Sequence, residues 1–304
     1  MRALPVIGVD VGGTKTLAGV VTRKGEIQAQ LERPTDVSSQ DAVLAGLDAL
    51  VDALRAENEV AGLGFGIPSR VDQRSGRAIA SVNIPLEGVD LRDRMRERHR
   101  LPVAIDNDAN AATIAEWQAG AARGARHVVM LTLGTGVGGG LILDGKPYRG
   151  STGTGAELGH IVIGIDGPPC GCGGHGHLES FASGRVSDRK AQELYGAGSD
   201  GHELVSKAQD GDTAAIDALA EIGRNLGAGI ASFVNTFEPE IVVVGGGFGF
   251  SAGELLLAPA REVVAREGLA PARDTVRIVR AELGLFAGVI GAGMIAFEAL
   301  GSEA

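Results

Sequence analysis

With 304 residues and 44% hydrophobic side chains, the chain is long enough for two ordinary domains or one large one, and for a sizeable core. Its 38 acidic and 28 basic residues give a formal net charge of −10, which argues against nucleic acid as the main partner. Glycine is abundant at 48 residues but follows no Gly-x-y period, so it belongs to turns and not to a fibre.

The N-terminal run LPVIGVDVGGTKTLAGVVT reads as strand, glycine turn, strand. Its apolar part before Asp10 is too short for a secretory signal. Together with only two cysteines, both in a metal-like motif, this predicts a cytoplasmic protein. Gly12 and Gly13 allow backbone N–H groups to face an anion without side-chain obstruction, and Thr14 adds a hydroxyl. Asp10 is placed to order a magnesium ion, directly or through water. The spacing is neither a Walker A loop nor a dinucleotide fingerprint, and a plain tight turn explains one such hairpin equally well.

Residues 41–57 carry apolar side chains at a helical period. The basic run at 92–100 is interrupted by acids and reads as the solvated face of a helix. At 104–112 the sequence is AIDNDANAA, where an apolar strand leads through Asp106 and Asn107 into Asp108 and an alanine-rich helix. Asp108 stands at a helix start, where the dipole favours its ionised form. A general base and a plain helix cap are both open readings.

The strand–glycine–strand device returns at VVMLTLGTGVGGGLILDGK, with Thr132, Gly134, Thr135 and Gly136 at the break. Two such hairpins suggest an internal duplication and could clamp a polyphosphate from two sides. The segment AELGHIVIGIDGPPCGCGGHGHLES then supplies His160, Cys170, Cys172 and His177, interleaved with Glu157 and Glu179. Two thiols and two imidazoles match the ligand set of a tetrahedral structural zinc site. The carboxylates suit a polyhydroxylated ligand, from whose neighbouring hydroxyls they can accept paired hydrogen bonds. Two small buried thiols and solvated loop histidines are the other reading, since the Cys-x₂-Cys spacing is absent.

Helical patterns follow at 212–237, 258–267 and 287–300, and an apolar glycine-bearing run, IVVVGGGFGF, begins at Ile241. The segment 283–297 is apolar, but it falls short of the ~20 residues of a membrane span and reads as a buried core helix. The alternation of strand and helix predicts an α/β architecture. The expected division is a small lobe at 1–112 and a large lobe at 113–286, with the final helix (about 287–304) packing on the first.

Taken jointly, these motifs resemble the ROK family of sugar kinases and repressors over nearly the whole chain. GVDVGGTK is similar to that family's first phosphate motif, IDNDANA to its catalytic motif, and LTLGTGVGGGLILDGK to its second phosphate motif. ELGH with CGCGGHGHLE resembles its zinc and sugar signature, and GFGIP at 64–68 with Asn83 its small-lobe sugar loop. The resemblance implies a two-lobed actin-like ATPase fold of ribonuclease H type, with a duplicated α/β core and a cleft between lobes. It implies an ATP- and magnesium-dependent hexose kinase, most of all a glucokinase acting on the 6-hydroxyl, with N-acetylhexosamine kinase or fructokinase as alternatives.

By position, Asp108 is the implied base. Asn83, Asn107, Glu157, His160 and Glu179 hold the sugar. Asp10, Gly12, Gly13, Thr14, Lys15, Thr132, Gly134, Thr135 and Gly136 serve the phosphates, and Gly245, Gly246 and Gly247 the adenosine end. The zinc ligands are His160, Cys170, Cys172 and His177. The partners are a hexose and a nucleotide, with no nucleic acid or membrane, and the chain is expected to form a homodimer or higher homo-oligomer. Three departures stand out. His177 replaces the usual third cysteine, Ser69 a frequent glycine, and Asp106 the glutamate common in glucokinase-like members. A sugar-responsive repressor, also known in the family, is disfavoured because the first hairpin starts within ten residues of Met1. Polyphosphate stays open as an alternative donor.

Overall fold

The computed structural model describes residues 4–81 and 83–302. The chain forms two compact units. Unit 1 comprises Met1–Arg123, Pro147–Gly155 and Phe286–Ala304, and unit 2 comprises Gly124–Lys146 and Ala156–Leu285. The helix Asp108–Ala119 spans the expected boundary at 112 and stays whole in unit 1.

Unit 1 is built on strands β1 (Val6–Val11), β2 (Lys15–Val21), β3 (Ile27–Pro34), β4 (Leu63–Ile67) and β7 (Val103–Asn107), in the order β3-β2-β1-β4-β7. Strands β5 (Ser69–Asp72) and β6 (Arg77–Ser81) pair separately as an antiparallel ribbon. The run VIGVDV is almost wholly buried, as expected for a central strand covered on both faces. β1 runs antiparallel to β2 and parallel to β4, and β4 runs parallel to β7.

The helix Gln40–Arg55 is capped by Ser39, whose Oγ accepts from Ala42 N at 3.1 Å. It buries Val43, Leu44, Leu47, Leu50, Val51 and Leu54, the face given by the helical period. The segment Gly284–Gly301, most of it in the final helix (Ala287–Ser302), is long and apolar enough by composition to cross a membrane, yet Val289 and Ala292 are fully buried. It lies against β1 and β4, where Gly8 and Gly64 leave no room for a side chain: a Cβ there would strike the Val289 and Ala292 carbonyls.

Unit 2 contains β8 (Val128–Leu133), β9 (Val137–Leu143), β10 (Lys146–Tyr148), β11 (Ile241–Gly245) and β12 (Arg277–Arg280), ordered β10-β9-β8-β11-β12. β8 is antiparallel to β9 and parallel to β11, which is parallel to β12. The pattern of unit 1 is therefore repeated. Asp10, the penultimate residue of β1, pairs with Leu17 on β2 and Gly66 on β4. Thr132, the penultimate residue of β8, pairs with Gly138 on β9 and Gly245 on β11. The long helix Thr213–Phe237, capped by Asp212, packs its small residues against the helix Glu254–Glu267. That second helix starts four residues before its expected position at 258.

The run at 241–250 is not one extended segment. β11 ends at Gly245 and a short helix, Gly246–Ala252, follows. Gly246 has φ +78° and sits against the Leu133 backbone, which only glycine accommodates without strain.

Candidate active site

The turn from β7 into the helix Asp108–Ala119 concentrates the polar chemistry of unit 1. The N-cap is Asn107, and Asp108 is the first helical residue: Asn107 Oδ1 accepts from Ala109 N at 2.9 Å and from Asn110 N at 3.2 Å. This separates the two roles that the sequence left to Asp108. Its carboxylate is half-buried in the first turn, where Oδ1 accepts from Ala109 N at 2.8 Å, a position that favours the ionised form.

Asp106 is buried, with 1% of its side chain exposed. Its Oδ2 accepts from Arg149 Nε at 2.6 Å. Oδ1 accepts from Asn107 N at 2.8 Å, Asn110 Nδ2 at 3.0 Å and Gln73 Nε2 at 3.1 Å. A buried charge is tolerated when it is paired and hydrogen-bonded in this way.

Asp10 lies at the end of β1, its carboxylate against Gly288 in the first turn of the final helix. Desolvation pushes its pKa up to about 7, with the Asp108 charge adding and Lys15 opposing. The hairpin that follows is closed by Gly12 N donating to Lys15 O at 3.0 Å. Gly13 packs beside Asn83, an exposed residue, at ordinary van der Waals distance. Thr14 is exposed at the tip, and the Lys15 ammonium is paired with Glu32 at 2.8 Å. The local partner of Lys15 is thus a carboxylate on the neighbouring strand.

In unit 2 the second hairpin is closed by Gly134 N donating to Gly136 O at 2.9 Å, with Thr135 exposed. Its next N–H, on Val137, donates to Glu179 Oε2 at 2.9 Å, and Gly136 lies directly against the Glu179 carboxylate. Gly247 is exposed at the start of the helix Gly246–Ala252.

His160, Cys170, Cys172 and His177 come together, with one ligand atom from each inside a 4.8 Å sphere of separations. Cys170 Sγ is 3.7 Å from His160 Nδ1, and Cys172 Sγ is 3.2 Å from His177 Nδ1. Tetrahedral zinc with bonds of about 2.0–2.3 Å requires ligand separations of roughly 3.3–3.8 Å. The donor set therefore fits zinc in type and number, with two of its separations close to that range.

The loop is shaped by short-range bonds. Cys170 N donates to Gly174 O at 2.8 Å and Gly173 N to Cys170 O at 3.0 Å, which folds the two thiols back on one turn. Burial holds the Cys170 thiol above its ordinary range, and Glu179 adds to this, with Oε1 accepting from Sγ at 3.5 Å. A bound divalent cation would reverse that preference and take the thiolate. His160 presents Nδ1 to this cluster. Glu157 is exposed just before the 3-10 turn Leu158–His160.

Sequence reasoning missed Arg149 and Gln73. The signal was faint: one arginine in the glycine-rich stretch YRGSTGTG, and a glutamine after a short strand. It also missed that Glu179 contacts the second hairpin.

Two α/β units of the same strand order, each with a glycine hairpin, define the two-lobed actin-like ATPase fold. The ROK family model matches residues 6–299, and the chain belongs to the ROK family. A glucokinase of Thermotoga maritima is 36% identical, covering 99% of this chain and 100% of that protein. The N-acetylmannosamine kinase of Shigella flexneri is 34% identical over 96% of this chain and 98% of that protein. Among solved structures, a ROK glucokinase from Streptomyces griseus in complex with glucose and AMPPNP superposes with a TM-score of 0.86. It is 35% identical and covers 97% of this chain and 99% of that one.

Proposed function

We propose that this protein is an ATP-dependent hexose kinase that transfers the γ-phosphoryl group to the 6-hydroxyl of glucose. The observation that carries this reading is the full-length agreement with a glucokinase that binds glucose and AMPPNP. The local geometry supports it. Asp108 is the base, held in the first turn of a helix. It takes the hydroxyl proton as the sugar oxygen attacks phosphorus. Asn83, Asn107, Glu157, His160 and Glu179 hold sugar hydroxyls.

The hairpins bearing Gly12, Gly13 and Thr14 and Thr132, Gly134, Thr135 and Gly136 present backbone and hydroxyl groups to the phosphates. The residues at 245–247 serve the adenosine end. Magnesium would be held from Asp10 and would supply positive charge to the phosphates. Zinc would be held by His160, Cys170, Cys172 and His177 as a structural ion that steadies the loop carrying Glu179; His160 presents Nδ1 to that cluster, which leaves Nε2 as the nitrogen for sugar. A cytoplasmic location and a homo-oligomeric state belong to the same proposal, the latter tested by sedimentation.

The similarity to an N-acetylmannosamine kinase supports a second reading, an N-acetylhexosamine kinase. A coupled ADP-release assay with ATP over glucose, N-acetylglucosamine, N-acetylmannosamine and fructose separates the two, and direct measurement of sugar phosphate compares ATP with polyphosphate as donor. Glucose is expected to exceed N-acetylglucosamine in kcat/KM by about 10², a gap of roughly 3 kcal/mol. A reversed ratio would establish the second reading, and no ADP release with any sugar would remove both.

A further inference from the structure

We infer that Arg149 and Gln73 are positioning residues for phosphoryl transfer, acting through the buried Asp106 on the turn that carries Asn107 and Asp108. This rests on Asp108 being the base.

Asp106 is a hub. Its carboxylate accepts four N–H bonds: from Arg149 Nε, Gln73 Nε2, Asn110 Nδ2 and Asn107 N. All four partners are N–H donors, which a carboxylate, an acceptor on both oxygens, can take together. The side chain is 1% exposed, and Arg149 is its ion-pair partner at 2.6 Å. The same guanidinium reaches the more exposed Glu298 at 3.5 Å. Desolvation disfavours the charge on Arg149, but the two carboxylates outweigh it and raise its pKa.

The donors are themselves anchored. The stretch from Arg149 to Gly155 closes on itself through Gly155 N donating to Arg149 O at 2.9 Å. It docks beyond β5 through Gln73 N donating to Thr152 O at 3.3 Å. Arg92 holds the Gln73 carbonyl at 3.2 Å, and Gln73 Nε2 also reaches the Ile105 carbonyl at 3.3 Å.

The output of the hub is one peptide. Asn107 N–H, the backbone donor immediately before Asp108, is fixed by Asp106 Oδ1. Asn107 in turn caps the helix and donates from Nδ2 to the Ser69 carbonyl at 3.4 Å. Removing the guanidinium takes away the partner that holds Asp106 Oδ2, loosens its grip on the Asn107 peptide through Oδ1, and so shifts the Asp108 carboxylate. A misplacement of about 1 Å at a reacting group costs on the order of 10²-fold in rate.

The test is steady-state kinetics with melting temperatures on folded R149M, R149K, Q73L, D108N and the double variant D106N/R149M. Expected for R149M is a fall in kcat of about 10²-fold with the glucose KM changed less than about threefold. R149K should recover part of the loss, because an ammonium restores the charge but not the fork. Q73L removes one donor and should cost about tenfold in kcat. The double variant should lose no more than R149M, since its two residues act on one interaction.

A kcat within about threefold of wild type in R149M and Q73L overturns the inference, as does a lowered melting temperature or a raised KM without a fall in kcat. If R149M fails to fold, R149K and Q73L decide the matter by the same readings. A D108N enzyme with near-wild-type turnover would instead remove the base assignment. An inactive D108N beside fully active R149M and Q73L would remove only this inference.

Discussion

The two glycine hairpins occupy corresponding places in two sheets of the same order, yet their surroundings differ in charge. Asp10 beside Gly66 in unit 1 is matched by Thr132 beside Gly245 in unit 2. Around the first lie further carboxylates, Asp106 and Asp108, on the adjoining strand end and helix start. The second has a hydroxyl, and its nearest acid, Glu179, is bound to the hairpin through Val137 N. A duplicated scaffold thus came to hold opposite demands. Unit 1 gathers carboxylates, while unit 2 ties a neutral glycine turn to the loop bearing its cysteines and histidines. Charge-altering substitutions should therefore matter most in unit 1, and steric ones should travel further in unit 2.

The largest effect is expected at Asp108. Asp108→Asn keeps the shape but cannot accept a proton, so kcat should fall about 10²–10⁴-fold with sugar binding still detectable by calorimetry. The equivalent loss of polarity in unit 2, Thr132→Val, should cost far less. Less than a tenfold fall for Asp108→Asn would take the base role from Asp108.

Asp10 gives a pH signature that Thr132 cannot. Its folded pKa of about 7 lies above the ordinary 3.8, so the folded protein without magnesium holds this proton more tightly than the unfolded chain does. The stabilising contribution is fully present below about pH 4 and is lost as pH rises through 7. About three pH units correspond to something on the order of 4 kcal/mol. In magnesium-free buffer, Asp10→Asn should gain melting temperature relative to wild type between pH 5 and 8, and magnesium should narrow the gap. Parallel melting curves across that range would contradict the assignment.

The fold was legible in the sequence because its signals are local and repeated. Two strand–glycine–strand runs, amphipathic helical periods and short β-branched strands fix the elements, and their recurrence marks the duplication. The helix at 246–252 was not legible, since GGFGFSA has low helical propensity and is held by packing of Gly246 and Gly249 against Leu133. In the site, clustered cysteines and histidines announce themselves by spacing, and the structure brings them together. Arg149 could not be read this way. It reaches Asp106 across 43 positions, and one arginine in a glycine-rich loop has no pattern.

The loop of His160, Cys170, Cys172 and His177 should hold one zinc ion per chain, measurable by elemental analysis. Removing the ion with a strong chelator, or Cys172→Ser, should lower the melting temperature by several degrees, or roughly 1–3 kcal/mol for a chain this size. The glucose KM should rise with it, because Glu179 loses its fixed neighbour. Metal-free protein with unchanged stability and KM would show that the cluster serves no structural purpose.

The smallest effect is also the sharpest contrast between the hairpins. Gly13→Ala places a methyl group 3.4 Å from Asn83, an ordinary contact, and should change the sugar KM by less than about twofold. Gly136→Ala instead pushes directly into the Glu179 carboxylate. Glu179 can yield, being the far end of a side chain, but only by weakening its bond to Val137 N and its contact with Cys170. The sugar KM should therefore rise about three- to tenfold, corresponding to roughly 0.7–1.4 kcal/mol, and more than the KM for ATP. A larger rise for ATP than for glucose would mean that Gly136 acts on the phosphates alone. Equal effects at Gly13 and Gly136 would mean that the second hairpin is no more tied to its acid than the first is to Asn83.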